Sequence, residues 1–161
     1  MRQLTVVQLV GILAVLGSGL AVFVPAFLNN LRASRLAEPM NGLARIGASA
    51  TRLALSRPFP QVYPETAPLT PSEVPAGTAA VDPEGTWSHA TWQALGFSFE
   101  QAHYYSFAFE SVHQPQEARF LAFAIGDLDG DGKTSRFELS GVFPKGGQPA
   151  IYPLELRDEI E

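Results

Sequence analysis

Hydrophobic and polar positions along this chain fall into three regimes. From Leu4 to Val24 the side chains are apolar almost throughout, with Gln8 the one strongly polar interruption, and Pro25-Ala26-Phe27 follows. At 1.5 Å rise per residue, about 20 such residues cross a hydrocarbon core about 30 Å thick. Next, Leu36, Met40, Leu43, Ile46, Ala50 and Leu53 recur at spacings of three or four, while Arg32, Arg35, Asn41 and Arg45 fall largely on other faces. That spacing predicts an amphipathic helix with one face to bury. Pro25 and Pro39 each remove a backbone hydrogen bond, so kinks or short breaks are expected near them. Together the two regimes predict one long N-terminal helix, transmembrane and then amphipathic.

The third regime alternates. From Arg57 to Gly85, Pro58, Pro60, Pro64, Pro68, Pro71, Pro75 and Pro83 exclude a regular helix or central strand and predict a long loop over the domain. Ser88 to Leu95 then predicts a short helix, with Ser88 as N-cap, Gly96 as its stop, and Trp87, Trp92 and Leu95 as its packing face. Strands are expected at Tyr104–Val112, Arg119–Ile125 and Arg136–Phe143. A fourth lies over Ala150–Leu156, where Pro153 demotes it towards an edge. One long helix followed by a run of strands is an α+β pattern: a long N-terminal helix packed on a small antiparallel β-sheet. The expected divisions are a transmembrane segment at 1–27, its amphipathic continuation at 28–55, and an extracytoplasmic globular domain at 56–161.

Composition narrows the classes. A formal net charge of −5 over 161 residues, with no basic stripe, argues against nucleic acid as a partner. The absence of cysteine removes disulfides, zinc–thiolate sites and thiol chemistry together. Arg2 and Val24-Pro25-Ala26 also suit a cleaved secretory signal, but the apolar run exceeds the 7–15 residues or so usual for a signal core. Arg2 and the amino terminus on one side, against Arg32 and Arg35 on the other, specify membrane orientation weakly.

The hairpin between the second and third strands carries the chain's clearest candidate chemistry. In Asp127-Leu128-Asp129-Gly130-Asp131-Gly132-Lys133-Thr134-Ser135-Arg136-Phe137-Glu138, the residues fit the 12-position EF-hand loop. Asp127, Asp129 and Asp131 take positions 1, 3 and 5, and Gly132 makes the sharp turn at 6. Lys133 offers its carbonyl at 7, Ser135 falls at 9 and Glu138 at 12. Hard oxygen donors in this alternation suit Ca2+, and three close carboxylates repel one another without a cation. Strand flanks, in place of helices, turn Glu138 away from the loop. The same residues equally suit a metal-free Asp-Gly turn, and the two readings stand side by side. His89, His103 and His113 have no metal-ligand spacing, and no phosphate loop, nucleophile elbow or paired catalytic carboxylates point to an enzyme.

Against this background the N-terminus resembles the type IV pilin and pseudopilin family. The family's processing site reads Arg-Gly-Phe-Thr-Leu-hydrophobic-Glu, and Arg2-Gln3-Leu4-Thr5-Val6-Val7-Gln8 lies over it without a gap. Gly11-Ile12-Leu13-Ala14 and Val24-Pro25-Ala26-Phe27-Leu28 match later positions of the family's helix. Further resemblance to one pilin subset lies in Thr91-Trp92-Gln93-Ala94-Leu95-Gly96-Phe97, in the acidic hairpin and in the closing Glu159-Ile160-Glu161. The resemblance implies a structural subunit of a pilus or type II secretion-type pseudopilus, anchored singly in the inner membrane with a periplasmic or extracellular domain. It implies other pilin subunits, met through N-terminal helices, and an assembly platform protein as partners. Gln3 in place of glycine and Gln8 in place of glutamate favour an accessory role. The alternative is a secreted or membrane-anchored periplasmic calcium-binding interaction domain.

Overall fold

A computed structural model describes residues 36–157 of the chain. The apolar run of 1–27 and the first part of the 28–55 continuation therefore lie outside the described residues, as does the closing Glu159-Ile160-Glu161. Within the described residues a helix, α1, runs over 36–56 and passes Pro39 without a break. It ends where the Ser56 hydroxyl and the Arg57 amide both donate to the Leu53 carbonyl, each at 3.0 Å, and Pro58 and Pro60 prevent a further turn.

Strand β1 (Ala67–Thr70) and the short helix α2 (Ala90–Leu95) follow, then β2 (Tyr105–His113), β3 (Glu117–Gly126), β4 (Ser135–Pro144), β5 (Ala150–Ile151) and β6 (Glu155–Leu156). They form one antiparallel sheet in the order β1-β2-β3-β4-β5, with β6 also pairing with β4. The expected fold class is corrected here. Among the described residues no helix is long and apolar enough to cross a membrane, α1 buries a single face on the sheet, and a six-stranded sheet makes up most of the domain. The sheet is larger than the sequence suggests because the proline-rich loop hides an edge strand. Pro68 is tolerated in β1 since an edge strand leaves one side unpaired. The expected fourth strand splits in two around Pro153, giving β5 and β6.

Period-two alternation gives the sheet two faces. Register places Tyr105, Phe107 and Phe109 of β2 beside Gly126, Ala124 and Ala122 of β3, and these beside Ser135, Phe137 and Leu139 of β4. This face carries α1. The helix meets it through Leu43, Ile46, Ala50 and Ala54, all buried, and through two glycines. A Cβ on Gly42 would lie 2.5 Å from the Phe107 ring, and one on Gly47 would lie 2.7 Å from Leu139 Cδ2. Glycine at these positions brings the helix axis close to the sheet. Met40, expected on the buried face, is 52% exposed, while Pro39 beside it is fully buried.

Glu38 fixes the first described turn of α1 in register with the sheet. Its Oε1 accepts hydrogen bonds from the amides of Tyr104 and Tyr105 at 2.9 and 3.0 Å. Burial raises its carboxyl above the ordinary 4.5, only partly offset by those two amides and by the nearby His103.

Helix α2 packs over the β1–β2 edge. Its N-cap is His89, whose side chain accepts from the Thr91 amide, so the cap lies one residue beyond the expected Ser88; Gly96 ends the helix in the left-handed region as expected. The Trp92 indole donates to Thr70 Oγ1 at 2.9 Å, and Trp92, Phe97, Phe99 and Phe107 form a continuous aromatic cluster.

Two tests follow from this packing. A Cβ at Gly126 would sit 2.6 Å from the Tyr105 ring, which is fully buried and has no room to retreat. Gly126→Ala is therefore expected to cost about 1–3 kcal/mol in denaturant unfolding. Gly47→Ala should cost less than Gly126→Ala, since the helix-propensity gain of about 1 kcal/mol offsets part of the displacement of the flexible Leu139 and Ile151 side-chain ends. In the second test, a carboxyl raised by folding contributes stability that is complete below its unfolded value and is lost as pH rises through its folded one. The stability of Glu38→Gln relative to the parent should hence increase from pH 4.5 towards neutral. A constant difference in melting temperature would contradict it.

Candidate metal centre

The acidic loop is the connection between β3 and β4, and the sheet supplies its base. Gly126 ends β3 under the Tyr105 ring, and Asp127 begins the loop at 5% exposure. Asp127 organises the turn: Oδ1 accepts from the Gly130 amide at 2.7 Å and Oδ2 from the Gly132 amide at 3.1 Å. Asp129 Oδ1 accepts from the Asp131 amide at 3.1 Å, and Asp131 Oδ1 from the Lys133 amide at 2.8 Å. Each aspartate thus captures an amide two to five residues ahead, the local preference that makes aspartate a turn residue. Gly130 and Gly132 have φ of 79° and 90°, which their aspartate neighbours would adopt only under strain.

The winding brings one carboxylate oxygen from each of Asp127, Asp129 and Asp131 within 4.8 Å of one another. Two oxygens bound on opposite sides of one Ca2+ are about 4.6–5.2 Å apart, so the three lie near enough to one another to be candidate ligands of one hard cation. The oxygens already bonded to amides keep a second lone pair for a ligand role. Lys133 stays with the loop, its Nζ 2.8 Å from Asp131 Oδ2, so an ammonium already offsets part of the negative charge.

Ser135 and Glu138 do not join them. Ser135 is the first residue of β4 and is turned inward, with its hydroxyl donating to the Gly126 carbonyl at 3.3 Å and lying 3.5 Å from the Tyr105 hydroxyl. Glu138 is three strand residues on, about 10 Å further at strand rise, and faces away from α1. There it binds Arg136 Nε at 2.7 Å and Arg157 Nε at 3.0 Å. Burial pushes its carboxyl up, but the two guanidinium hydrogen bonds outweigh this and hold it below the usual range. An exiting strand carries the ninth and twelfth positions away, where an exiting helix would have brought the last one round.

One contributor lies outside the loop. The Gly77 amide donates to the Asp127 carbonyl at 2.9 Å, and Ala76 bridges the same residue. Gly77 has φ of 67°, and a Cβ there would come within 3.3 Å of the Asp129 carbonyl oxygen. The proline-rich segment thus buttresses the acidic loop through a contact about 50 residues distant in sequence, for which Pro75-Ala76-Gly77-Thr78 gives no local signal. The histidines are dispersed: His89 caps α2, His103 is buried against Asp82, and His113 lies 3.2 Å from the Tyr63 carbonyl.

Comparison with known protein families, characterised proteins and solved structures brings no match.

The hydrogen bonding separates the aspartates by role. Asp127→Ala strands the Gly130 and Gly132 amides at a half-buried site and is expected to cost about 1–3 kcal/mol in chelator. The Asp129→Asn, Asp131→Asn chain keeps its amide acceptors and should unfold in chelator within about 0.5 kcal/mol of the parent. Equal losses in both variants would contradict this division.

Proposed function

We propose that this chain is a pilin-like structural subunit, accessory rather than principal, of a pilus or a type II secretion-type pseudopilus. The observation that carries the reading is the two-sidedness of α1. One face is buried on the sheet. The other exposes Met40 at 52% and Leu55 at 62%, with Ala37, Ala44 and Ala48 also exposed. A helix built to be shared between its own domain and neighbouring subunits needs both faces. The residues before it supply the second support, since Arg2 to Gln8 lies over the pilin processing motif without a gap.

On this reading the domain works outside the cytoplasm, and the apolar run Leu4–Val24 is its association with the inner membrane. Its partners are other subunits of the same kind and an assembly platform protein, and its role is mechanical rather than catalytic. The amides at Gln3 and Gln8 account for the accessory assignment. In the family this chain resembles, a glutamate at this position pairs with a neighbouring subunit's terminal amine, and the neutral Gln8 removes that carboxylate.

Mass spectrometry of the native N-terminus tests the reading. A chain beginning at Leu4 supports pilin processing, and one retaining Met1 supports an anchored accessory subunit. A chain beginning at Phe27 overturns both. Because the sequence contains no cysteine, Met40→Cys and Leu55→Cys can be crosslinked in intact envelopes without background. Crosslinks to other subunits are expected, and monomer alone from both variants would exclude the shared-helix role.

The aspartate loop favours a second reading, a secreted or membrane-anchored periplasmic calcium-binding interaction domain. The Asp129→Asn, Asp131→Asn chain tests it. The parent's melting temperature should rise in calcium over chelator, and the variant's should not. No calcium response in the parent removes this reading.

A further inference from the structure

A buried side-chain cluster that the aspartate loop does not use fastens the proline-bearing segment 71–88 to the sheet. His103 is 1% exposed. Its Nδ1 lies 2.8 Å from the Tyr105 carbonyl oxygen, and its Nε2 lies 2.8 Å from Asp82 Oδ2. The Asp82 side chain is itself only 5% exposed, and the same Oδ2 accepts a hydrogen bond from the Trp87 indole at 2.6 Å. Backbone pairing joins the same two segments, with Ala80 and His103 exchanging amide-to-carbonyl hydrogen bonds of 3.0 Å in both directions. The Trp87 and Phe99 rings flank the imidazole, with centroids 6.2 and 4.7 Å away. Asp82 from the loop pairs with it directly, and Glu38 from α1 is close enough to interact with it electrostatically.

The donor inventory of this cluster does not close with a neutral imidazole. A carbonyl oxygen accepts and never donates, and so does an ionised carboxylate. A neutral ring has one N–H to serve both. One further proton therefore lies between Nε2 and Oδ2. The Trp87 indole N–H already donates to Oδ2, which holds that oxygen as an acceptor facing the ring. We propose that His103 and Asp82 form a proton-dependent latch, an imidazolium–carboxylate pair that holds segment 71–88 on the sheet and releases it when the shared proton leaves.

Opening follows from the same geometry. Once the proton is lost, whichever ring nitrogen keeps the remaining hydrogen, the other faces an acceptor lone pair to lone pair. The Asp82 carboxylate is then buried without its counter-ion, a costly arrangement relieved by moving the segment outward. On the acid side, protonation of Asp82 removes the pair's attraction while leaving the imidazolium in place. The latch is therefore tightest at intermediate pH. The segment it holds also carries Gly77, so release frees one flank of the aspartate loop.

The test uses the full chain, ¹⁵N-labelled and kept soluble with a non-ionic detergent. Imidazole nitrogen signals and amide exchange are followed from about pH 5 to about pH 8, the range in which histidine changes charge. At the lower end both His103 nitrogens should carry protons. As the shared proton is lost, protection of the Ala80 and His103 amides should fall about tenfold or more relative to Ala122 in the middle of β3. Asp82→Asn offers an amide donor to a bare ring nitrogen and an oxygen to Trp87, so it should keep Ala80 protected and abolish the pH dependence. A singly protonated His103 ring at about pH 5, or Ala80 protection that tracks Ala122 throughout, overturns the proposal. Should Asp82→Asn fail to fold, the parent's nitrogen signals and exchange decide alone.

Discussion

Ring burial over a strand of small residues is the constraint on which the domain depends. Of the five β3 positions facing α1, Ala118, Ala122, Ala124 and Gly126 present a methyl group or less, and only Phe120 is large. The rings of β2 and β4 lean into the space this leaves. Tyr105 lies over Gly126, and Phe120 in turn lies over Gly141, where a Cβ would come within 2.2 Å. Interiors pack to crystal-like density, so each ring position fixes its neighbour. The helix repeats the device, laying Gly42 on Phe107 and Gly47 on Leu139. The two helix glycines bring α1 close to the sheet at Phe107 and Leu139, while Leu43 and Ile46 fill the rest of the contact.

That arrangement explains what was legible in the sequence. Strand positions were accessible because alternation from Tyr105 to Phe109 and from Phe137 to Leu139 is a local signal. The contact face of α1 was less so. Its glycines carry no hydrophobicity, and a pattern built on large apolar residues substituted Met40 for the Gly42 and Pro39 that are in fact buried. The edge strand β1 was concealed because proline density correctly excludes a central strand but says nothing of an edge. The transmembrane part of the expected helix falls on residues outside those described, and the described helix does not have that character.

The candidate centre divides in the same way. Asp127, Asp129 and Asp131 are brought together by turn chemistry written within six residues, which a local pattern captures. Ser135 and Glu138 are misplaced by the same pattern because it presumes an exiting helix. In a strand, side chains alternate about a rise of roughly 3.3 Å per residue, so one residue turns into the core and the other crosses to the far face. Gly77 belongs to neither case, since only the folded chain brings it to Asp127.

The two margins of the sheet are finished differently from its centre. On one side stands β1, four residues long, with Pro68 inside it and Pro71 directly after. On the other, β4 is met by two-residue β5 and β6 separated by Pro153, with the Tyr152 amide donating to the Ser140 carbonyl between them. Neither border offers the long, open row of backbone donors and acceptors that another chain could extend. Copies of this domain are thereby protected from fusing into one continuous ribbon. Any ordered array they build has to be held by side chains, and so can be taken apart again without unmaking a sheet.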